Sequence, residues 1–159
     1  MDIEDFLDKL ENCLKENINK TIDEINALKN DSIKLEHISS NAYMLQSVSD
    51  KVLNYSPTLY LGVDSISNEA SGRGLAETYT IEVTILMNGV KGRLIDEKVI
   101  PKKMYRYERV LKDTIRRSWR SISNQEMKIQ SFAPTSFNLE NSNPCHVVGI
   151  KLETTIFNN

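Results

Sequence analysis

The stretch Met104–Ile122, MYRYERVLKDTIRRSWRSI, constrains the fold more than any other, because its side chains divide into two chemistries at the helical period. At 3.6 residues per turn, Tyr107, Val110, Leu111, Thr114, Ile115, Ser118, Trp119 and Ile122 fall on one side, while Arg106, Arg109, Lys112, Arg116, Arg117 and Arg120 fall roughly opposite. The first side needs a core to cover. The second needs water, carboxylates or phosphates. This helix is expected to begin near Lys103, after Pro101 has ended the preceding segment.

The surface for it to cover is written in alternation. Thr78–Met87, TYTIEVTILM, sets Tyr79, Ile81, Val83, Ile85 and Met87 against Thr80, Glu82 and Thr84, a strand with one buried face. Leu59–Ile66, LYLGVDSI, follows the breaker Asn54-Tyr55-Ser56-Pro57 and puts Leu59, Leu61 and Val63 on one face. Near the end, Val147–Phe157 sets Val148, Ile150, Leu152 and Ile156 against Lys151, Glu153 and Thr155. A shorter strand is expected over Glu126–Phe132, then a polar loop over Ala133–Pro144. Asn88-Gly89 signals a turn, with Arg93–Ile100 returning as the second arm of a hairpin. The polar, glycine-containing segment Ser67–Glu77 reads as an exposed, mobile loop between strands.

Residues 2 to 29 read as a long helix with Asp2 as N-cap and Glu4 and Asp5 in the first turn, where carboxylates suit the positive end of the dipole. Its stripe runs through Phe6, Leu10, Leu14, Ile18, Ile22, Ile25 and Leu28, interrupted for a strict heptad by Asn17, Thr21 and Glu24. Packing along a sheet or a neighbouring subunit therefore fits better than a coiled coil. Residues 31 to 56 fit two periods. Ile38, Ala42, Leu45, Val48 and Val52 suit a helix begun by Ser39 or Ser40, the reading taken, while Ala42, Met44 and Val48 also suit a strand.

The order helix, strand, strand, helix, strand, strand predicts an α+β, two-layer sandwich over residues 1–159 as a single domain: a mostly antiparallel sheet of four or more strands packed against the amphipathic helix, with 2–29 as N-terminal helix and 57–157 as core. At 159 residues, with 40% apolar and 26% charged side chains, the chain is long enough to bury a substantial core. Twenty basic and 22 acidic residues leave a net charge of -2, so no global field drives it onto nucleic acid or an anionic membrane. Cys13 and Cys145 suggest no disulfide framework, and reduced thiols in an intracellular setting are the simpler expectation. The acidic start MDIEDFLDKL is not expected to act as a signal or transit peptide, and no run approaches the roughly 18 apolar residues of a membrane span.

Reactive groupings are sparse. His37 and His146 lie far apart, outside any zinc-protease spacing, and Cys145-His146 would put thiol and imidazole on opposite faces of a strand. Gly72-Arg73-Gly74 lacks the dinucleotide fingerprint and a P-loop ending. Asp64, Asp96 and Glu97 show no calcium-loop spacing. No catalytic, cofactor-binding or metal residue is assigned, and the chain is expected not to be an enzyme. Arg106, Arg109, Arg116, Arg117 and Arg120 remain as a candidate protein interface, since guanidinium groups hold carboxylates or phosphates bidentately. The alternatives are a solvated face with pairs such as Glu108–Lys112 and Asp113–Arg117, or phosphate binding by a small cytoplasmic nucleic-acid-binding or regulatory domain.

Taken together, the long N-terminal helix, LYLGVDSI, TYTIEVTILM, RYERVLKDTIRRSW and VVGIKLETTIF resemble the tail terminator and neck (head-tail joining) proteins of tailed bacteriophages. The resemblance spans most of residues 57–157 as an order of elements, with residues 31–56 additional and the Asn88–Pro101 hairpin longer. It implies a structural virion protein, made in the host bacterial cytoplasm. Such a protein forms a homo-oligomeric ring, commonly a hexamer, that terminates the tail tube and meets the head connector. Its implied partners are its own copies, the tail tube protein and the connector, with DNA passing through the ring without specific binding and no membrane. On this reading the 67–77 loop orders on docking.

Overall fold

Asp2 sets the start of the first element: its carboxylate accepts a hydrogen bond from the Asp5 amide at 2.9 Å, capping helix α1 (Ile3–Lys29). The helix ends where Asn30 turns left-handed at φ 46° and returns its amide to the Asn26 carbonyl. In the computed structural model of the chain, the described residues are 1–45, 56–71, 74–88, 99–123, 127–138 and 144–158. Phe6, Leu10, Leu14, Ile18 and Ile22 are fully buried, each burial stabilising by about 1.5–3 kcal/mol. The stripe stops a turn before the helix does, with Leu28 63% exposed. Thr21 joins the buried face instead, its hydroxyl 2.9 Å from that of Thr114.

The expected second helix from Ser39 or Ser40 does not form over residues 39–45. Residues 31–42 run as a strap along α1 and end in a short strand, β1 (Tyr43–Leu45). The reason lies on α1. Asn19 and Asn26, two turns apart, each present a side-chain amide that both donates to and accepts from one strap residue's backbone, Ile38 and Leu35 respectively, at 2.8–3.0 Å. With the amides and carbonyls of Leu35 and Ile38 satisfied from α1, these strap residues have no need of helical bonds. Ala42 and Met44 are buried, in keeping with the period-two alternative. Residues 46–55, with Val48 and Val52, lie outside the described residues.

Four further strands complete a five-stranded sheet: β2 (Thr58–Ser71), β3 (Gly74–Asn88), β4 (Lys128–Asn138) and β5 (Pro144–Asn158), in the order β1-β2-β3-β5-β4. The β1–β2 pair is parallel and the others antiparallel. The expected loop over 67–77 is instead the far end of a long hairpin, paired from Ser67↔Thr78 to Ser71↔Gly74, with residues 72 and 73 outside the described set. Its polar side chains hid a strand that the backbone ladder, continued on the other side by β5 as far as Leu75↔Asn158, holds in place. Likewise β4 runs through residues 133–138, expected as loop, and Pro144 opens β5. Pro134 is accommodated because β4 is an edge strand whose register shifts between Phe132 and Thr135.

The organising helix, α2 (Val99–Arg117), starts four residues before Lys103. Pro101 sits in its first turn, where the missing amide has no intrahelical acceptor to lose. Ile100 therefore belongs to the helix, not to a returning hairpin arm; residues 93–98 lie outside the described set. A break at Ser118 separates α2 from one further turn, α3 (Trp119–Ile122). Tyr107, Val110, Leu111 and Ile115 of α2 are fully buried with Leu59, Ile81, Val83, Ile85, Val148, Ile150 and Leu152 of the sheet and the stripe of α1. The protein is thus an α+β sandwich of two layers, helices on one face of a mostly antiparallel sheet.

Candidate protein interface

The arginines expected as one outward row do not stand together. Arg106 is only 8% exposed and points toward the strap, holding Asp31 through both terminal nitrogens and the Ile33 carbonyl at 2.7 Å. It is a strut between α2 and the residues that follow α1, and its place on the outer face is corrected accordingly. One helical position on, the Tyr107 hydroxyl donates to the Glu36 carbonyl at 2.8 Å, so two adjacent side chains pin the same strap. Arg117 pairs with Glu24 on α1. Arg109 lies 3.5 Å from Asp113, and Lys112 pairs with Glu108, the i,i+4 arrangement expected for that couple. Asp113 is therefore turned toward Arg109, while Arg117 takes Glu24. Arg116 and Arg120 are exposed and make no ion pair among the described residues. Because the chain breaks at Ser118, Arg120 sits on α3 and the row is discontinuous.

The electrostatics follow these contacts. The Arg106 guanidinium beside Asp31 holds that carboxyl well below its ordinary range, at about 2. Burial pushes Glu108 up, but hydrogen bonds from Lys112 and Ser131 outweigh it and leave the carboxyl below its usual value. Burial also raises the Tyr107 phenol. Around the outward residues of α2 lies an open cleft of about 750 Å³, lined by six basic and three acidic side chains. Three of its cations, Lys29, Lys102 and Arg116, make no ion pair among the described residues, and Tyr105 stands 61% exposed beside them.

A second patch escaped the sequence reading. On the flank of α1 that faces β1, Glu4, Asp8 and Glu11 rim a groove of about 300 Å³ formed with Leu7, Leu45 and Leu61. The signal was present in the acidic first half of α1, but it concerned the dipole and the cap; nothing local says that Leu45 lies beside it.

The remaining candidates stay apart. Cys145 is buried, with its thiol raised by burial, while His146 on the opposite strand face lies 2.7 Å through Nδ1 from the Ser136 hydroxyl. Burial lowers the His146 imidazole. His37 meets Asp23 at 2.6 Å, and Asp64 meets Lys151 at 3.1 Å. Asp96 and Glu97 lie outside the described residues. Among the described residues no group of three or more His, Cys, Asp or Glu side chains could hold a metal, and no helix is long and apolar enough to cross a membrane.

The class of protein these features define is a small α+β sandwich with charged, sterically open faces on its helix layer. No protein-family model matches the chain, and no curated protein matches it in sequence.

Proposed function

We propose that this chain is a structural virion protein that assembles as a ring on the end of a bacteriophage tail tube and joins the tube to the head connector. The observation that carries the reading is where uncommitted surface lies. Among the described strands β1 and β4 are the sheet's two edges, and each offers backbone groups on one side for strand addition. Arg116 and Arg120 stand exposed with no ion pair among the described residues, whereas Arg106, Arg109 and Arg117 are paired within the chain. A chain with two different patches can close a ring by head-to-tail contacts. Its partners on this reading are its own copies, the tail tube protein and the connector protein, and DNA traverses the ring without specific contact. It works by presenting surfaces, with no bond made or broken.

Size-exclusion chromatography with light scattering, followed by mixing with isolated tail tubes, tests the proposal. A ring-sized species that binds tube ends is expected. A strict monomer that ignores tubes would remove it.

A second reading is favoured by the excess of cations in the α2 cleft: a small domain that binds nucleic acid through Arg109 and Arg116 of the cleft and through Arg120 on α3 beyond it. It expects salt-dependent DNA retention that falls when Arg116 and Arg120 become alanine. DNA that is never retained, even at low salt, would dismiss it.

A further inference from the structure

Two charged patches of the fold are complementary in sign and cannot meet within one molecule. The groove beside β1 carries three carboxylates, from Glu4, Asp8 and Glu11, around an apolar floor that includes Leu45, 37% exposed. The cleft on α2 carries a net charge of +3 from its six basic and three acidic side chains, with the Tyr105 ring projecting beside them. Their positions in the fold are opposed. The acidic groove lies at the β1 end of the sheet along the first half of α1, whereas the basic cleft reaches Lys29 and Asp31 at that helix's other end. The basic cleft lies on α2, whose Glu108 accepts a hydrogen bond from Ser131 of β4, the other edge strand, at 2.5 Å.

We infer that the acidic groove beside β1 receives the basic, tyrosine-bearing face of α2 from a second copy of this chain. The contact is heterologous: each molecule gives one patch and receives with the other, so the same contact repeats from copy to copy. Lys102 and Arg116, exposed and in no ion pair among the described residues, meet Glu4 and Asp8 of the neighbour, and Tyr105 covers the leucine floor. An aromatic ring in an apolar pocket ringed by charge pairs is the composition that anchors protein interfaces. The inference rests on the ring reading and names which surfaces build it.

Two doubly substituted chains test it by charge exchange. The first carries Glu4→Lys and Asp8→Lys, so that groove and cleft are both positive. The second carries Lys102→Glu and Arg116→Glu, so that both are negative. All four positions are exposed, and circular dichroism with thermal melting verifies that each variant folds as the parent does. Sedimentation velocity is expected to show self-association of the parent that weakens as salt rises, and self-association of either variant alone weakened about tenfold or more. An equimolar mixture of the two variants is expected to associate again, because every groove then finds a cleft of opposite sign. Variants that assemble alone as well as the parent would overturn this docking mode while leaving ring assembly standing. Folded variants that remain separate when mixed would also overturn it. A parent chain that is monomeric at low salt removes both this contact and the ring reading.

Discussion

Replacing Arg106 by methionine separates a strut from an interface residue. The guanidinium makes two charge-assisted contacts to Asp31 and a third to the Ile33 carbonyl, at a position 92% removed from solvent. Hydrogen bonds to charged groups contribute about 1.5–3 kcal/mol each when the partner is left dry. Here the Asp31 side chain is 38% exposed, so water recovers part of what the substitution removes, and the methionine keeps the aliphatic packing. The expected net loss is about 2 kcal/mol, well below the 3–5 kcal/mol of a fully buried broken pair. For a chain of this length that corresponds to a melting temperature lower by about 4–8 °C. Urea and thermal denaturation of Arg106→Met should be compared with Arg116→Met, an exposed position on the same helix, where a change within about 0.5 kcal/mol is expected. Equal stabilities for the two variants would refute the strut, and would return Arg106 to the set of residues available to a partner.

The same pair gives stability a sign in acid. Asp31 is held at about 2, below its unfolded value, so its contribution is complete above about pH 4 and fades as pH falls from there toward 2. The urea midpoints of the parent and Asp31→Asn are therefore expected to converge over that window; a gap at pH 2.5 as wide as at pH 6 would contradict the assignment. At Gly149 an added Cβ would clash with the Val83 carbonyl oxygen, which the sheet fixes, whereas at Gly62 it would meet the hydroxyl end of Tyr60. Gly149→Ala should cost about 1–3 kcal/mol in chemical denaturation and Gly62→Ala distinctly less, because a side chain can swing and a paired strand cannot. Cys13 and Cys145 are both buried, with thiols raised by burial, so dithionitrobenzoate should label neither until denaturant is added; rapid native labelling of either would show that its site opens.

Much of this architecture was legible wherever periodicity and burial agree. The stripe of α1, the alternation of Tyr79 through Met87 and the two faces of α2 are local patterns, and each forms the element its period dictates. The cap at Asp2 was readable for the same reason, since its partner lies three residues away. What stayed hidden depends on partners distant in sequence. The strap over residues 31–42 is extended because Asn19, Asn26, Arg106 and Tyr107 satisfy its backbone, and no feature within the strap announces them. Ser67–Ser71 is a strand because β3 pairs with it and β5 with β3, although its own side chains suggest a loop.

The candidate site divides in the same way. The amino-acid order alone fixed that α2 would carry cations on its outer side, since helical spacing requires it. Only the packing of α2 against α1 and the strap decided that Arg106 and Arg117 are spent on Asp31 and Glu24, while Lys102 and Arg116 remain outward. The acidic groove is likewise a product of tertiary placement, because Glu4 and Asp8 become a patch with a floor only when β1 brings Leu45 alongside α1. Side-chain period is a property of the chain itself, whereas the partner of a charge is chosen by whichever distant residue folding sets within reach.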